Sequence, residues 1–365
     1  MAIRGLAEEL RVAYPKKRLV ISTVTGTGNK VAQSIAREFD FVSYLPLDFG
    51  LIVKSVIDKI NPALFIIAET ELWPNLISYL FKKNIPLVVV NARISDNSFR
   101  GYRWIKFLTK PILNKVNLFC VQTSLDAERL KFLGVAEGKI KITGNMKFDL
   151  KTDSKNDLTD QRMKLGITIQ EKLLVAASTH PGEEEMVLNT YKDLLREFAS
   201  LRLLIAPRHP ERAAEVAGLI KKFGFDAQRV SLLNLRTHEL VSLRTIFVLD
   251  TVGQLLSFYN IADIVFVGGS LVKIGGHNIL EPASLGKPVL FGPYMFNFRD
   301  IADLFLKNKA AILVSDQEAL KTKIKSLLYS PLEAAELGQR ARELIQQNQG
   351  ATKSNTQLIK ESFVF

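Results

Sequence analysis

The sequence predicts an α/β protein made of two doubly wound parallel sheets in tandem, and three observations lead there. Short, continuously apolar segments alternate with helical ones along most of the chain, the pattern of parallel strands covered on both faces. The alternation stops at Lys151-Thr152-Asp153-Ser154-Lys155-Asn156-Asp157, which holds no apolar residue, and then restarts. A length of 365 residues suits two domains better than one.

In the first half, residues 19–25, 41–47, 64–68, 86–91, 118–123 and 140–143 read as strands. Helical stretches fall at 29–39, 51–60 and 74–83, and Ile3, Leu6, Ala7 and Leu10 carry a helical period from the first residues. In the second half, strands are expected at 173–177, 201–206, 245–249, 264–267, 288–291 and 311–314. Helices at 183–198 and 211–223 lie between them, and two more, 331–347 and 352–363, close the chain. The expected domains are therefore 1–150 and 151–365, two Rossmann-like halves with a cleft between them. Ligands of such sheets bind outside the carboxyl ends of the strands, so the strand-end loops are where function is sought.

Composition narrows the classes. Lys and Arg number 49 against 37 Asp and Glu, a formal charge of +12. That excess predicts an anionic partner, whether nucleic acid, an acidic membrane face or a phosphorylated substrate. A hydrophobic fraction of 47% excludes a disordered chain. The single cysteine, Cys120, excludes an internal disulfide and a cysteine zinc cluster, and its apolar neighbours Leu118, Phe119 and Val121 make it a buried thiol. No apolar run approaches the roughly 20 residues of a spanning helix, and the N-terminus lacks signal-peptide character, so the chain is expected on the cytoplasmic side.

The strand-end loops are chemically rich. Glu69 and Glu71 follow the strand at 64–68; either could act as a base or as electrostatic support for a developing cation, or one could cap the helix beginning at Pro74. Gly268-Gly269-Ser270 and Gly275-Gly276-His277-Asn278 precede a helix running through Glu281 to Gly286. The glycines are expected to admit close approach of a ligand, the helix N-terminus to meet a phosphate, and Glu281 to accept bonds from ribose hydroxyls. Arg208 is either a clamp for a phosphate or carboxylate, or a surface arginine near a helix start. Residues 250–254 could offer backbone groups to a base, and Lys147 lies at the end of the first half. His180, His209 and His277 are too far apart in sequence for a metal signature and read as orienting hydrogen-bond partners; the absence of an Asp-X-Asp pair favours metal-independent chemistry. In the segment from Phe99 to Lys110, aromatic and basic residues share helical spacing, which fits either an anionic membrane interface or a helix packed on the core with a solvated basic face.

Seven ordered motifs carry a resemblance: Glu-Thr-Glu-Leu-Trp-Pro-Asn (69–75), Asn-Ala-Arg-Ile-Ser (91–95), Gly-Asn-Met-Lys-Phe-Asp (144–149), Ser-Thr-His-Pro-Gly-Glu-Glu (178–184), Pro-Arg-His-Pro-Glu-Arg (207–212), Gly-Gly-His-Asn-Ile-Leu-Glu-Pro (275–282) and Gly-Pro-Tyr-Met-Phe-Asn-Phe (292–298). Together they span the chain and closely resemble the Kdo transferases of lipopolysaccharide assembly. The resemblance implies a GT-B fold and transfer of 3-deoxy-D-manno-octulosonate (Kdo) from CMP-Kdo to a lipid A precursor of lipid IVA type, at the cytoplasmic face of the inner membrane. The expected reaction is inverting and needs no metal or other cofactor. The resemblance makes Glu69 and Lys147 transition-state stabilisers. It gives CMP contacts to Pro207 and Arg208, to Val252, Gly253 and Gln254, and to Asn278, Ile279, Leu280 and Glu281. It also places a membrane anchor, a first strand and a Ser-Val-Gly-Glu loop bearing the catalytic base ahead of residues 3–10. Those features are expected before Met1, so the chain is expected to bind CMP-Kdo, to sit peripherally on the membrane and to turn over poorly. The alternatives are an impaired remnant that still binds CMP-Kdo and lipid, a GT-B nucleotide-sugar epimerase, and a nucleic-acid binder, the last resting on charge alone.

Overall fold

The computed structural model describes residues 2–150, 158–233 and 242–363; the polar segment 151–157, expected to join the halves, lies outside them. The chain divides into two compact units, one of Met1–Lys151 with Asn348–Phe365 and the other of Thr152–Gln347. Unit 1 is thus built from both ends of the chain, whereas a single crossing near residue 150 was expected.

The reason lies in the helix Ala351–Ser362. It buries the stripe Ala351, Thr352, Asn355, Thr356 and Ile359, the spacing of an amphipathic helix. Ala351 and Ile359 join Leu6 and Leu10 of the helix Ala2–Ala13, together with Val88, Val90, Leu118, Cys120 and Met146, in one core. Its first turn is capped by Asp149, which accepts from Gly350 N and Thr352 N at 2.6 Å each. Asp149, the last residue of the 144–149 motif, is therefore structural. Periodicity predicts this helix but cannot say which half it joins.

Unit 1 holds β1 (Val20–Thr23), β2 (Phe41–Tyr44), β3 (Phe65–Ala68), β4 (Leu87–Ala92), β5 (Leu118–Val121) and β6 (Ile140–Ile142). All pairings are parallel, but they form two sheets, β1-β2 and β3-β4-β5-β6. The expected single sheet is therefore divided. Every residue of β4 and β5 is buried, as their continuous apolar runs require. The β1-β2 pair is far less covered, with Val20, Phe41 and Tyr44 exposed.

Unit 2 holds β7 (Lys172–Thr179), β8 (Leu201–Pro207), β9 (Asp226–Arg229), β10 (Thr245–Val248), β11 (Ile264–Val267), β12 (Val289–Phe291) and β13 (Ile312–Leu313). They make one parallel sheet in the order β13-β12-β11-β7-β8-β10-β9. The chain winds outward from β7 through β8, then returns to β7's other side with β11. The topological switch point, where loops leave neighbouring strands in opposite directions, thus lies between β7 and β11. β9 was not expected: Asp-Ala-Gln-Arg has no apolar run, and an edge strand needs none.

Candidate active site and nucleotide rim

In unit 1 the structure brings together the two residues assigned to the transition state. Lys147 Nζ lies 3.3 Å from Glu69 Oε1. Glu69 follows β3 with φ +64°, and its N–H donates to Val90 O at 2.9 Å. A side chain in the left-handed region costs on the order of 1–3 kcal/mol. The pair itself is largely open to solvent, 56% for Glu69 and 36% for Lys147, and such pairs contribute only about 0–1 kcal/mol. Stability therefore does not account for the strained backbone at Glu69.

Lys147 is presented by a short turn, Met146–Phe148, whose outer residues Met146 and Phe148 are both buried. Asn91 fastens that turn: its Oδ1 accepts Met146 N at 2.9 Å, and its own carbonyl accepts Gln122 Nε2 at 2.9 Å. Asn91 has φ +53° and sits where the β4-β5 register shifts. Asparagine tolerates this conformation better than most residues. Sequence reasoning quoted Asn91 within a motif but missed its role; a single asparagine after an apolar run was the only signal. Thr70 locks the neighbouring loop, accepting Arg93 N at 2.9 Å and donating to Arg93 O at 2.5 Å.

Neither glutamate caps the helix Pro74–Lys82. That helix is capped from another loop by Asp48, whose carboxylate accepts Asn75 N at 3.1 Å and Leu76 N at 2.8 Å. Glu71 instead accepts Trp73 Nε1 at 3.3 Å within its own loop. Cys120 is fully buried and its thiol is pushed up to about 12 by burial, which makes it inert, as expected.

In unit 2 the loops after β7 and β11 are tied by one carboxylate. Glu183, fully buried, accepts His180 N at 3.0 Å, Gly269 N at 2.6 Å, Ser270 N at 3.0 Å and Leu271 N at 2.9 Å. Burial pushes its carboxyl up, against the four amides that favour its charge. Glu184, also buried, accepts Thr179 Oγ1 at 3.0 Å and Arg212 Nη1 at 2.8 Å. Arg212 is thereby spent on Glu184 and Glu215. Arg208, by contrast, is exposed, and no carboxylate among the described residues pairs with its guanidinium. Its backbone N–H donates to Thr179 O at 3.0 Å, which holds the residue at the end of β8.

Two expectations about the glycine loops are corrected. The space a Cβ would fill at Gly269 is taken by the His277 ring, at Gly275 by Asn297 and Phe296, and at Gly276 by Met295. These glycines, all at positive φ, serve close packing of the protein on itself rather than ligand approach. The helix is also only Leu280–Ser284, five residues. Its N-terminus is too short to act as the expected phosphate site, and Asn278 Oδ1 already accepts Leu280 N at 3.1 Å.

The remaining rim residues lie at strand ends. Asn278 Nδ2 donates to Glu281 Oε1 at 3.1 Å, and burial pushes the Glu281 carboxyl up while Asn278 draws it back. Val252, Gly253 and Gln254 follow β10 and are exposed. That loop is anchored by Asp250, which accepts Arg229 Nε at 2.8 Å and Ser231 N at 2.9 Å. Arg229 belongs to the unexpected strand β9.

The segment from Phe99 to Lys110 divides its aromatics. Phe99 stacks edge-on to Phe132 at 5.4 Å and, with Tyr102, packs on the unit 1 core. Trp104 is 83% exposed and Phe107 74%, with Ile105 and Leu108 also exposed. No helix among the described residues is long and apolar enough to cross a membrane. No group of three His, Cys, Asp or Glu side chains able to hold a metal occurs among the described residues.

Two units with parallel sheets, each carrying its polar loops at the carboxyl ends of the strands, define a glycosyltransferase of GT-B fold. Residues 1–150 match the family described as 3-Deoxy-D-manno-octulosonic-acid transferase (kdotransferase), and residues 186–344 match glycosyl transferases group 1. The 3-deoxy-D-manno-octulosonic acid transferase of Haemophilus influenzae is 37% identical over 99% of this chain and 84% of its own length. That of Chlamydophila psittaci is 31% identical over 88% of this chain and 73% of its own. The chain belongs to the Kdo transferase family. Among solved structures, a UDP-GlcNAc 2-epimerase from Neisseria meningitidis superposes with a TM-score of 0.64 over 98% of this chain and 96% of its own, at 13% identity. That likeness bears on the fold alone.

Proposed function

We propose that this Kdo transferase takes Kdo from CMP-Kdo and passes it to a lipid A precursor of lipid IVA type, with inversion, without a metal, at the cytoplasmic face of the inner membrane. The observation that carries the reading is the Glu69–Lys147 pair, held at 3.3 Å on a strained strand end where stability does not require it. As the bond from the Kdo anomeric carbon to the phosphate breaks, its electrons leave with CMP and the sugar gains oxocarbenium character. A fixed carboxylate at Glu69 favours that positive charge, and Lys147 holds the carboxylate in place. The acceptor hydroxyl attacks the face opposite the leaving CMP and gives its proton to a general base.

Unit 2 supplies the nucleotide contacts in this reading. Arg208, without a carboxylate partner among the described residues, meets the phosphate as a charged fork. Val252, Gly253 and Gln254 border the base, and Asn278 through Glu281 border the ribose, with Pro207 closing the rim. Arg208→Ala is expected to weaken CMP-Kdo binding by about 1.5–3 kcal/mol, the value of a charged hydrogen bond. Calorimetric titration with CMP checks this, and unchanged affinity removes Arg208 from the site. The same titration with UMP tests the donor: binding as tight as that of CMP argues against a cytidine nucleotide.

Membrane contact is supported by the exposed Trp104, Ile105, Phe107 and Leu108, interleaved with exposed Arg100, Arg103 and Lys110. Apolar rings enter the acyl boundary while each cation contributes about 1 kcal/mol near anionic headgroups. Replacing Trp104 and Phe107 by Ala is expected to reduce sedimentation with phosphatidylglycerol vesicles about tenfold or more, since each large apolar side chain contributes about 1.5–3 kcal/mol when buried. Equal sedimentation of variant and native chain places the membrane contact elsewhere.

A further inference from the structure

Two of the histidines in the unit 2 loops form one hydrogen-bonded object. His180 Nε2 and His277 Nε2 are 2.8 Å apart, with ring planes within 7° and centroids at 5.1 Å. That centroid separation is the N···N distance plus one ring radius at each end. The rings therefore meet edge to edge in a linear N–H···N bond, not face over face. Such a bond needs one Nε2 protonated and the other bare. The pair can then carry no charge or one, because the only free proton site that keeps the bond is Nδ1 of the donating ring. Two charges would set two N–H groups against each other.

The pair sits where a ligand is expected on topology alone. His180 leaves β7 and His277 belongs to the loop after β11, the two strands that flank the switch point. The charges facing it come from three loops. From the β7 side, Glu183 is turned to four backbone amides and Glu184 to Arg212. From the β8 side come Arg208, Arg212 and His209, the last with its ring 6.1 Å from His180. On the β11 side the loop's cation, Lys273, is turned over the Tyr294 ring and acts on neither histidine. No carboxylate oxygen among the described residues accepts from either ring. Burial first, then the neighbouring imidazoles and guanidiniums, Arg212 and Arg208 for His180 and Arg208 for His277, hold His180 low and His277 at about 4, so the free pair is neutral at pH 7.

We propose that the His180–His277 pair is the proton-carrying part of the phosphate site for the donor nucleotide, so that binding the CMP phosphate draws one proton from solvent onto Nδ1 of the donating ring. The inference rests on the reading that unit 2 holds CMP and adds to it two residues and a linked proton. An anion offsets the two effects that keep the pair neutral, and an opposite charge at close range moves such a midpoint by about one to three pH units.

The test is imidazole nitrogen NMR of the full chain from pH 3 to 8.5, free and with saturating CMP or cytidine. CMP is expected to raise the pair's titration midpoint by about one to three pH units, and cytidine, which lacks the phosphate, to leave it in place. An unmoved midpoint with CMP demonstrably bound overturns the proposal and leaves the nucleotide reading standing. An absent heat of CMP binding overturns the nucleotide reading, and the proposal falls with it. A second measurement compares Kd for CMP against pH in the native chain and in His277→Gln. CMP's own titration is common to both, so the difference isolates the pair. Between the free and bound midpoints the native chain should lose about tenfold more affinity per pH unit than the variant, as uptake of one proton requires; parallel curves overturn the proposal.

Discussion

Glu69→Gln is expected to lower the rate of Kdo transfer about 10²–10³-fold, the scale of removing one fixed charge stabiliser from a transition state, and to leave CMP affinity nearly unchanged. The asymmetry follows from where the residues lie. Glu69 and Lys147 belong to unit 1, while the proposed nucleotide contacts all belong to unit 2. Lys147→Ala should cost a similar factor. The double variant should cost much less than the product of the two, because the groups act as a unit through one 3.3 Å contact. Initial rates at saturating donor, set beside calorimetric Kd values, read both quantities. A variant that loses CMP affinity instead of rate would move Glu69 from the transition state to donor binding.

Glu183→Gln is expected to destabilise the loops after β7 and β11 by about 2–5 kcal/mol. Two carboxylate oxygens serve four backbone N–H groups in a fully buried site. An amide offers one accepting oxygen and turns its own N–H₂ toward the remaining donors, and each buried donor left unsatisfied costs about 1–3 kcal/mol. Hydrogen exchange at Gly269, Ser270 and Leu271 reads this locally, and faster exchange there should accompany loss of CMP binding. Protection equal to that of the native chain would show that the loop is held by something other than Glu183.

What could be read from the sequence follows the physics of each element. Continuous apolar runs announce buried parallel strands, and twelve of the thirteen strands fall on the expected segments with small boundary shifts, β9 being the one missed outright. Its residues Asp226 to Arg229 carry no apolar signal because an edge strand is not covered on both sides. The allegiance of the helix Ala351–Ser362 was hidden because its partner, Asp149, lies some 200 residues earlier, a contact no local pattern encodes. The same holds for Asp48, which caps a helix from a distant loop in place of the neighbouring glutamates. Glu69 and Lys147 were noted at strand ends and given their shared role by motif resemblance, whereas their juxtaposition is a tertiary fact. The glycines misled for a related reason: a Gly-Gly turn signals only that a Cβ would not fit, and at Gly275 and Gly276 the obstacle is Asn297, Phe296 and Met295 rather than a ligand.

The central claim is the transfer itself. Purified chain, CMP-Kdo and lipid IVA in detergent micelles, followed by mass spectrometry of the lipid, test it most directly. The account predicts acceptor heavier by whole Kdo residues, released CMP in equal amount, and formation that falls about 10²–10³-fold with Glu69→Gln. CMP-Kdo that binds while the acceptor keeps its mass, or Kdo-bearing lipid formed as fast by Glu69→Gln as by the native chain, would contradict it.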